Sequence, residues 1–264
     1  MCLLALFYRV VEDAPVVAGA NREEFYSRGG EPPQVLDLSS SNSDGTAAAV
    51  AGVDPLAGGT WFGVNGRGVF VAVTNRPKSE TPLRARSRGL LARELLGCPT
   101  AAGAVDHAVL ELERGAYAGC NIVCADSESA TVVHGGDWLR IRPLPPGLHV
   151  LTSHDVNDAS DRRLGHALWW LSQRGYACAD ECVRALQELC GQSGNGGPPM
   201  CLRSDQGGTV SNSIIALRSP LSRSSYLHAQ GPPDRTPYRD YSNLFGQLGR
   251  IRPSPSAIKT EAAR

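Results

Sequence analysis

The chain has 264 residues, 42% hydrophobic and 20% charged, enough apolar material for one large core or two small ones. Its 26 basic residues balance 26 acidic ones without a basic run, which leaves no electrostatic footprint for nucleic acid or an anionic membrane. Eight cysteines in a chain of this length do not make a small disulfide scaffold.

The opening Met1-Cys2-Leu3-Leu4-Ala5-Leu6-Phe7 is apolar but short, lacks a basic start and is interrupted by Tyr8-Arg9. It does not read as a signal peptide, and no later stretch approaches the length of a membrane span. The expected setting is cytoplasmic, with reduced thiols. Cys2 to Val11 reads as a buried strand, Glu12-Asp13-Ala14 as a turn and Pro15 to Ala20 as the partner strand. The polar group Asn21-Arg22-Glu23-Glu24 then closes the apolar strand. Residues 27 to 47, rich in Gly, Pro and Ser, read as loop.

Thr60 to Val64 and Val69 to Val73 form a predicted hairpin, with Asn65-Gly66 expected to supply positive φ angles. Ser87 can cap a helix carrying Leu91 and Leu95, and Val105, Val109 and Leu112 recur at helical spacing in a second. Asn121 to Ala125, Ala130 to His134 and Leu148 to Leu151 read as strands. A second helical pair spans about residues 160 to 190, marked by Leu164, Leu168 and Leu171, then by Val183, Leu186 and Leu189. Residues 195 to 199 are a loop, and Val210 to Leu217 and Ser225 to Ala229 are closing strands. Residues 1 to 249 make one domain, and 250 to 264 read as a disordered tail. Short connections between strands favour antiparallel pairing. The order predicts an α+β fold: two antiparallel sheets face to face, with a helical layer outside each.

Several blocks occur in a telling order. They are Cys2 after the initiator, Ala20-Asn21-Arg22-Glu23-Glu24-Phe25-Tyr26-Ser27-Arg28, Asp54 to Asn65 with its Gly58-Gly59-Thr60-Trp61 centre, and Ala72-Val73-Thr74-Asn75-Arg76. Ser87-Arg88-Gly89, Tyr117-Ala118-Gly119-Cys120-Asn121 and Gly231 to Pro237 follow. Together they resemble the NRDE (transport and Golgi organisation protein 2-like) family, with Glu23 where the family usually has Asp. The resemblance implies a relation to N-terminal nucleophile hydrolases, a four-layer αββα fold, and Cys2 exposed as the first residue once Met1 is removed.

An N-terminal Cys carries its own base, because an α-amine titrating at about pH 8 can take the thiol proton. The bland reading of Cys2 is a buried residue on a core strand. Arg22 can lower the thiol pKa or hold a ligand carboxylate, and Glu24 can orient the amine or pair with Arg22, although the residues leave Glu23 and Glu24 open. The competing reading of all four polar residues is a solvated turn with a surface ion pair. Asn75 and Asn121, each at a strand boundary, are candidate oxyanion donors or ordinary turn residues. Asn21, Trp61 and Ser153 are the candidate ligand contacts. Two positions depart from the family pattern, Ser153 where Asn is usual and Val210 where Arg is common, and both weaken anion stabilisation.

No zinc spacing is present. Cys178, Cys182 and Cys190 share a helical face with core leucines, and Cys98-Pro99 reads as a helix end. One ring of Trp169-Trp170 is expected in the core and the other at an edge. The first functional expectation is Cys2-dependent hydrolysis or acyl transfer on an amide or thioester of a small metabolite, without a cofactor. The second is a non-catalytic carrier of haem, acyl-CoA or a related lipid metabolite; the third is a scaffold in Golgi organisation and secretion. The partner is a small molecule, with oligomeric state open.

Overall fold

A computed structural model describes residues 2–38, 48–194 and 196–248; Asn195 and the tail expected at 250–264 lie outside them. The chain opens with β1 (Leu3–Val11) and β2 (Ala14–Phe25), then β3 (Glu31–Asp37), β4 (Ala48–Val53), β5 (Phe62–Asn65) and β6 (Phe70–Asn75). Helices α1 (Arg88–Leu95) and α2 (Ala101–Glu113) follow, then β7 (Cys120–Ala125), β8 (Ala130–Gly135), β9 (Leu139–Pro143) and β10 (Gly147–Leu151). After α3 (Arg162–Ser172) and α4 (Ala179–Cys190) come β11 (Gly207–Leu217), β12 (Ser225–Ala229), β13 (Arg239–Asp240) and a last turn, α5 (Phe245–Leu248).

The strands form two sheets, ordered β10-β1-β2-β11-β12-β13 and β3-β4-β5-β6-β7-β8-β9. Neighbouring strands run antiparallel throughout. Alternation along β1 explains its unbroken apolar run. Leu4, Leu6 and Tyr8 meet Val50, Phe62, Phe70 and Val123 of the other sheet. Leu3, Ala5 and Phe7 pack instead against Leu164 and Leu171 of α3 and Leu186 and Leu189 of α4. On the far side, Ala49, Val71 and Ile122 meet Leu91 and Leu95 of α1 and Ala104 and Ala108 of α2. Three apolar interfaces between four layers make this the expected αββα sandwich. The helices begin where capping chemistry dictates: Ser87 accepts from the Leu90 N–H, Thr100 from Gly103, and Asp161 from Arg163 and Leu164.

Four local expectations need correction. β2 runs on to Phe25, so Asn21 to Glu24 are sheet residues rather than a solvated turn; β11 pairs with all four, and β1 with Asn21. The stretch read as loop, of which 39–47 lie outside the described residues, contains β3, where Pro32-Pro33 is tolerated because β3 is an edge strand. In the β5–β6 hairpin the positive φ belongs to Gly68, at 82°, not to Asn65-Gly66. Asn65 shapes the turn through its side chain, which accepts from the Arg67 and Val69 N–H groups. The sequence offers no strand signal at β4, β9 or β13, the first Ala-rich, the second an exposed edge carrying Arg140 and Arg142 and the third only two exposed residues.

Cys182 and Cys190 are buried in the helical layer, as the core reading requires, whereas Cys178, read with them, stands half-buried just before α4; Trp170 packs in that layer while Trp169 is exposed. Among the described residues no helix is long and apolar enough to cross a membrane.

Candidate functional site

The β1–β2 hairpin builds the site. Leu3 pairs with Asn21, and one further step of the same antiparallel register sets Cys2 opposite Arg22. Side chains along β2 alternate between faces. Asn21 turns to the helical layer, where its Nδ2 donates to the carbonyls of Cys190 (3.0 Å) and Met200 (2.9 Å) and its Oδ1 accepts from Asn212. The Glu23 carboxylate reaches the same side and pairs with Arg163 in the first turn of α3. Arg163 also donates to the carbonyls of Pro199 and Met200.

Arg22 is buried on the other face. Its guanidinium lies 4.3 Å from the centre of the Trp61 ring, donates to Gly29 O at 2.5 Å and stands 3.7 Å from Glu24. Glycine makes this stack possible: a Cβ on Gly52 would come within 2.7 Å of the Trp61 ring, and one on Gly30 within 3.2 Å of Arg22 Nη1. Arg28 bridges Glu24 (3.6 Å) and Asp54 (2.7 Å).

These groups face a cavity of about 370 Å³ whose lining includes Cys2, Arg22, Glu24, Trp61, Asn75 and Arg88. A second cavity of about 410 Å³ shares Glu23, Glu24 and Asn75 with it and adds Phe25 and Leu202. Burial pushes the Cys2 thiol up and the Glu23 carboxylate adds to that, while the Glu23 N–H at the sulfur and the Arg22 charge pull it down without prevailing. The thiol therefore rests protonated at neutral pH and needs a base to react. Burial likewise lifts the Glu23 carboxyl above the ordinary range despite Arg163. Asp54 goes the other way: burial raises it, but the Arg28 and Leu56 hydrogen bonds outweigh that and hold it low.

Of the residues singled out in the sequence, the fold gathers Cys2, Arg22, Glu24, Trp61 and Asn75 on one cavity and leaves Asn21, Asn121 and Ser153 outside its lining. Asn121 is the hub of a buried network. Its Nδ2 donates to Thr74 Oγ1 and to the carbonyls of Thr152 and His154, and its Oδ1 faces Arg76 Nη1 (3.2 Å) and His134 Nδ1 (2.7 Å). Its bonding capacity is filled by protein, unlike that of a waiting oxyanion donor. Ser153 is buried. Val210 sits where the β2–β11 register shifts, between Thr209 opposite Glu23 and Ser211 opposite Arg22. The sequence reading missed Arg28, Asp54 and Arg163. Asp54 opens one of the ordered blocks and Arg28 ends another, whereas nothing local marks Arg163.

The fold matches solved structures of N-terminal nucleophile hydrolases at identities that speak to fold alone. The Caenorhabditis elegans N-acylethanolamine-hydrolyzing acid amidase ortholog aligns with a TM-score of 0.55 at 17% identity, covering 81% of this chain and 92% of that one. Penicillin V acylase from Agrobacterium tumefaciens gives 0.56 at 13%, covering 92% and 88%. A mutant conjugated bile acid hydrolase from Clostridium perfringens gives 0.50 at 11%, covering 91% and 96%. In sequence, the human transport and Golgi organization protein 2 homolog is 31% identical over 119 residues, 44% of this chain and 40% of that protein. The mouse homolog is 32% identical over 146 residues, 52% and 50%; the match thus spans half or less of the curated relatives. The family model for Transport and Golgi organisation 2 matches residues 1–192, and the chain belongs to that family.

Proposed function

We propose that the protein is a Cys2-dependent N-terminal nucleophile hydrolase or acyltransferase acting on an amide or thioester of a small metabolite. The observation that carries this reading is the meeting of Cys2, Arg22 and Asn75 on one cavity of an N-terminal nucleophile hydrolase fold. A buried thiol with a raised pKa requires a general base, and removal of Met1 supplies one in the Cys2 α-amine. The amine takes the thiol proton, and the sulfur attacks the substrate carbonyl carbon. The oxyanion that forms accepts a hydrogen bond from the Asn75 side chain, a contact worth about 3 kcal/mol in the transition state. The intermediate collapses to an acyl-enzyme, expelling an amine or thiol that leaves with the proton held by the ammonium group. Water activated by the same amine then attacks the acyl carbon, releasing the carboxylic acid and restoring the thiol; in acyl transfer an acceptor nucleophile takes the place of water.

Intact-mass analysis tests this directly. The mature chain is expected to start at Cys2 and to gain an acyl mass with N-acetylcysteamine thioesters, whereas Cys2→Ala stays unmodified. Retention of Met1, or equal modification of Cys2→Ala, defeats the reading. The adjoining cavity with Phe25 and Leu202 favours a second reading, a carrier of haem or acyl-CoA. That reading requires a saturable Soret shift on haem titration or saturable binding of acyl-CoA, without turnover. Under both readings the protein is cytoplasmic, where free cysteines stay reduced, and cell fractionation checks that placement.

A further inference from the structure

Among the described residues the charges lining the Cys2 cavity are paired, with a single remainder. Glu23 is held by Arg163, Glu24 lies between Arg22 and Arg28, and Asp54 pairs with Arg28. Arg86, at the cavity rim, pairs with Glu94 and Glu111 and stands 5.3 Å from the Tyr117 ring centre. Arg88 is the exception. Its Nη1 donates to the Gly119 carbonyl at 2.9 Å, and among the described residues no carboxylate pairs with it. It is half-buried in the cavity wall.

Its mounting is rigid. Arg88 is the first residue of α1, directly after the Ser87 cap. The Gly89 carbonyl accepts from the Thr60 N–H at 2.9 Å, and a Cβ on Gly59 would lie 2.3 Å from the Gly89 carbonyl carbon. No side chain fits between the two backbones, so the start of α1 packs directly against the segment that carries Trp61. One bond to Gly119 leaves most of the guanidinium fork unspent. A guanidinium placed this way, without a counter-charge, is a preformed site for one planar anion.

Resting on the reading of Cys2 as the nucleophile, we propose that the substrate carries a carboxylate in addition to its scissile amide or thioester, and that Arg88 binds that carboxylate. With the Cys2 α-amine neutral, as its role of base requires, a monoanion balances the one lining guanidinium that no carboxylate pairs with among the described residues. A phosphate dianion would need a second free cation, and the other lining arginines are committed to carboxylates.

The test is calorimetric titration of the full chain with glutaramate (an amide at one end, a carboxylate at the other), with neutral glutaramide and with inorganic phosphate. Glutaramate is expected to bind saturably and at least about tenfold more tightly than glutaramide, Arg88→Gln to abolish that preference, and Arg88→Lys to retain part of it. Equal binding of glutaramate and glutaramide, or an unchanged preference in a folded Arg88→Gln, overturns the proposal; tighter binding of phosphate overturns the carboxylate assignment. Glutaramate should also slow iodoacetamide alkylation of Cys2 in the wild type and not in Arg88→Gln; alkylation indifferent to saturating glutaramate removes the anion site from the Cys2 cavity. A chain that binds glutaramate through Arg88 but never forms an acyl-enzyme with thioesters instead refutes the catalytic reading, so the two failures are separable.

Discussion

Replacing Arg163 by Met takes the arginine away from a carboxylate whose side chain is only 3% exposed, Arg163 itself being 12% exposed. Removing one partner of a buried ion pair costs about 3–5 kcal/mol, because the remaining charge stays desolvated. The lost hydrogen bonds to Pro199 O and Met200 O add about 1 kcal/mol each. Against a total stability of about 5–15 kcal/mol, that loss is large and measurable. Its pH dependence identifies the cause. Burial already raises the folded-state Glu23 carboxyl above its ordinary 4.5, so native protein retains a proton that unfolded chain releases. Stability therefore falls as pH rises from the unfolded value through the folded one. Arg163→Met moves the folded value higher and deepens that fall. Urea unfolding at pH 5 and pH 8 should show the larger loss at pH 8, with Glu23→Gln in the same chain restoring about 2–4 kcal/mol there. An equal loss at both pH values, with no recovery on adding Glu23→Gln, refutes the reasoning.

Asn75→Ala should slow acylation of Cys2 by thioesters about 10²–10³-fold while leaving the melting temperature nearly unchanged; Asn121→Ala should do the reverse, costing about 2–4 kcal/mol through its severed network. Thermal melts beside intact-mass time courses separate the two. Gly52→Ala sets a methyl 2.7 Å from the Trp61 ring, and the forced shift should cost about 1–3 kcal/mol and change the Cys2 alkylation rate by displacing Arg22; an unchanged rate and melt count against the stacking account. His134 is fully buried, and that burial holds its imidazole down to about 4 from an ordinary 6.5. Unfolded chain therefore binds the proton first, and stability should fall by about 3 kcal/mol as pH drops from 6.5 to 4. His134→Gln should flatten that part of the urea-midpoint profile, and an unaltered slope excludes His134 as its source.

The layer order was legible because β1, β6, β7 and the second half of β11 are apolar on both faces, and α1 to α4 carry clear periodicity, the first three behind side-chain caps. What escaped the sequence depends on distant partners. Four polar residues after an apolar strand look like an exit into solvent, yet β2 continues because β11 pairs with it from far along the chain, Asn212 bonding Asn21 across 191 positions. Arg163 meets Glu23 across 140 positions, and no local pattern announces such a pair. Asn75 and Asn121 occupy similar strand boundaries. The loop after β10, which brings the Thr152 and His154 carbonyls to Asn121, acts with Thr74, Arg76 and His134 to make that residue structural, while Asn75 faces the cavity.

The alternation of β2 also settles why Glu23 and Glu24 are not interchangeable, a choice the linear sequence left open. Glu24 shares the cavity face with Arg22, and its charge acts on that guanidinium at 3.7 Å. Glu23 sends its carboxylate to α3 while its own N–H meets the Cys2 sulfur, so one residue both raises the thiol through its charge and lowers it through its backbone. Arg163 dampens the first effect without touching the second. It follows that Glu23→Gln should make Cys2 more acidic, whereas Glu24→Gln should act on Arg22 first. The pH profile of iodoacetamide alkylation reads the difference: its midpoint should move down for Glu23→Gln and move less for Glu24→Gln. The opposite order would mean that the two side chains have exchanged faces, which the pairing of Leu3 with Asn21 forbids.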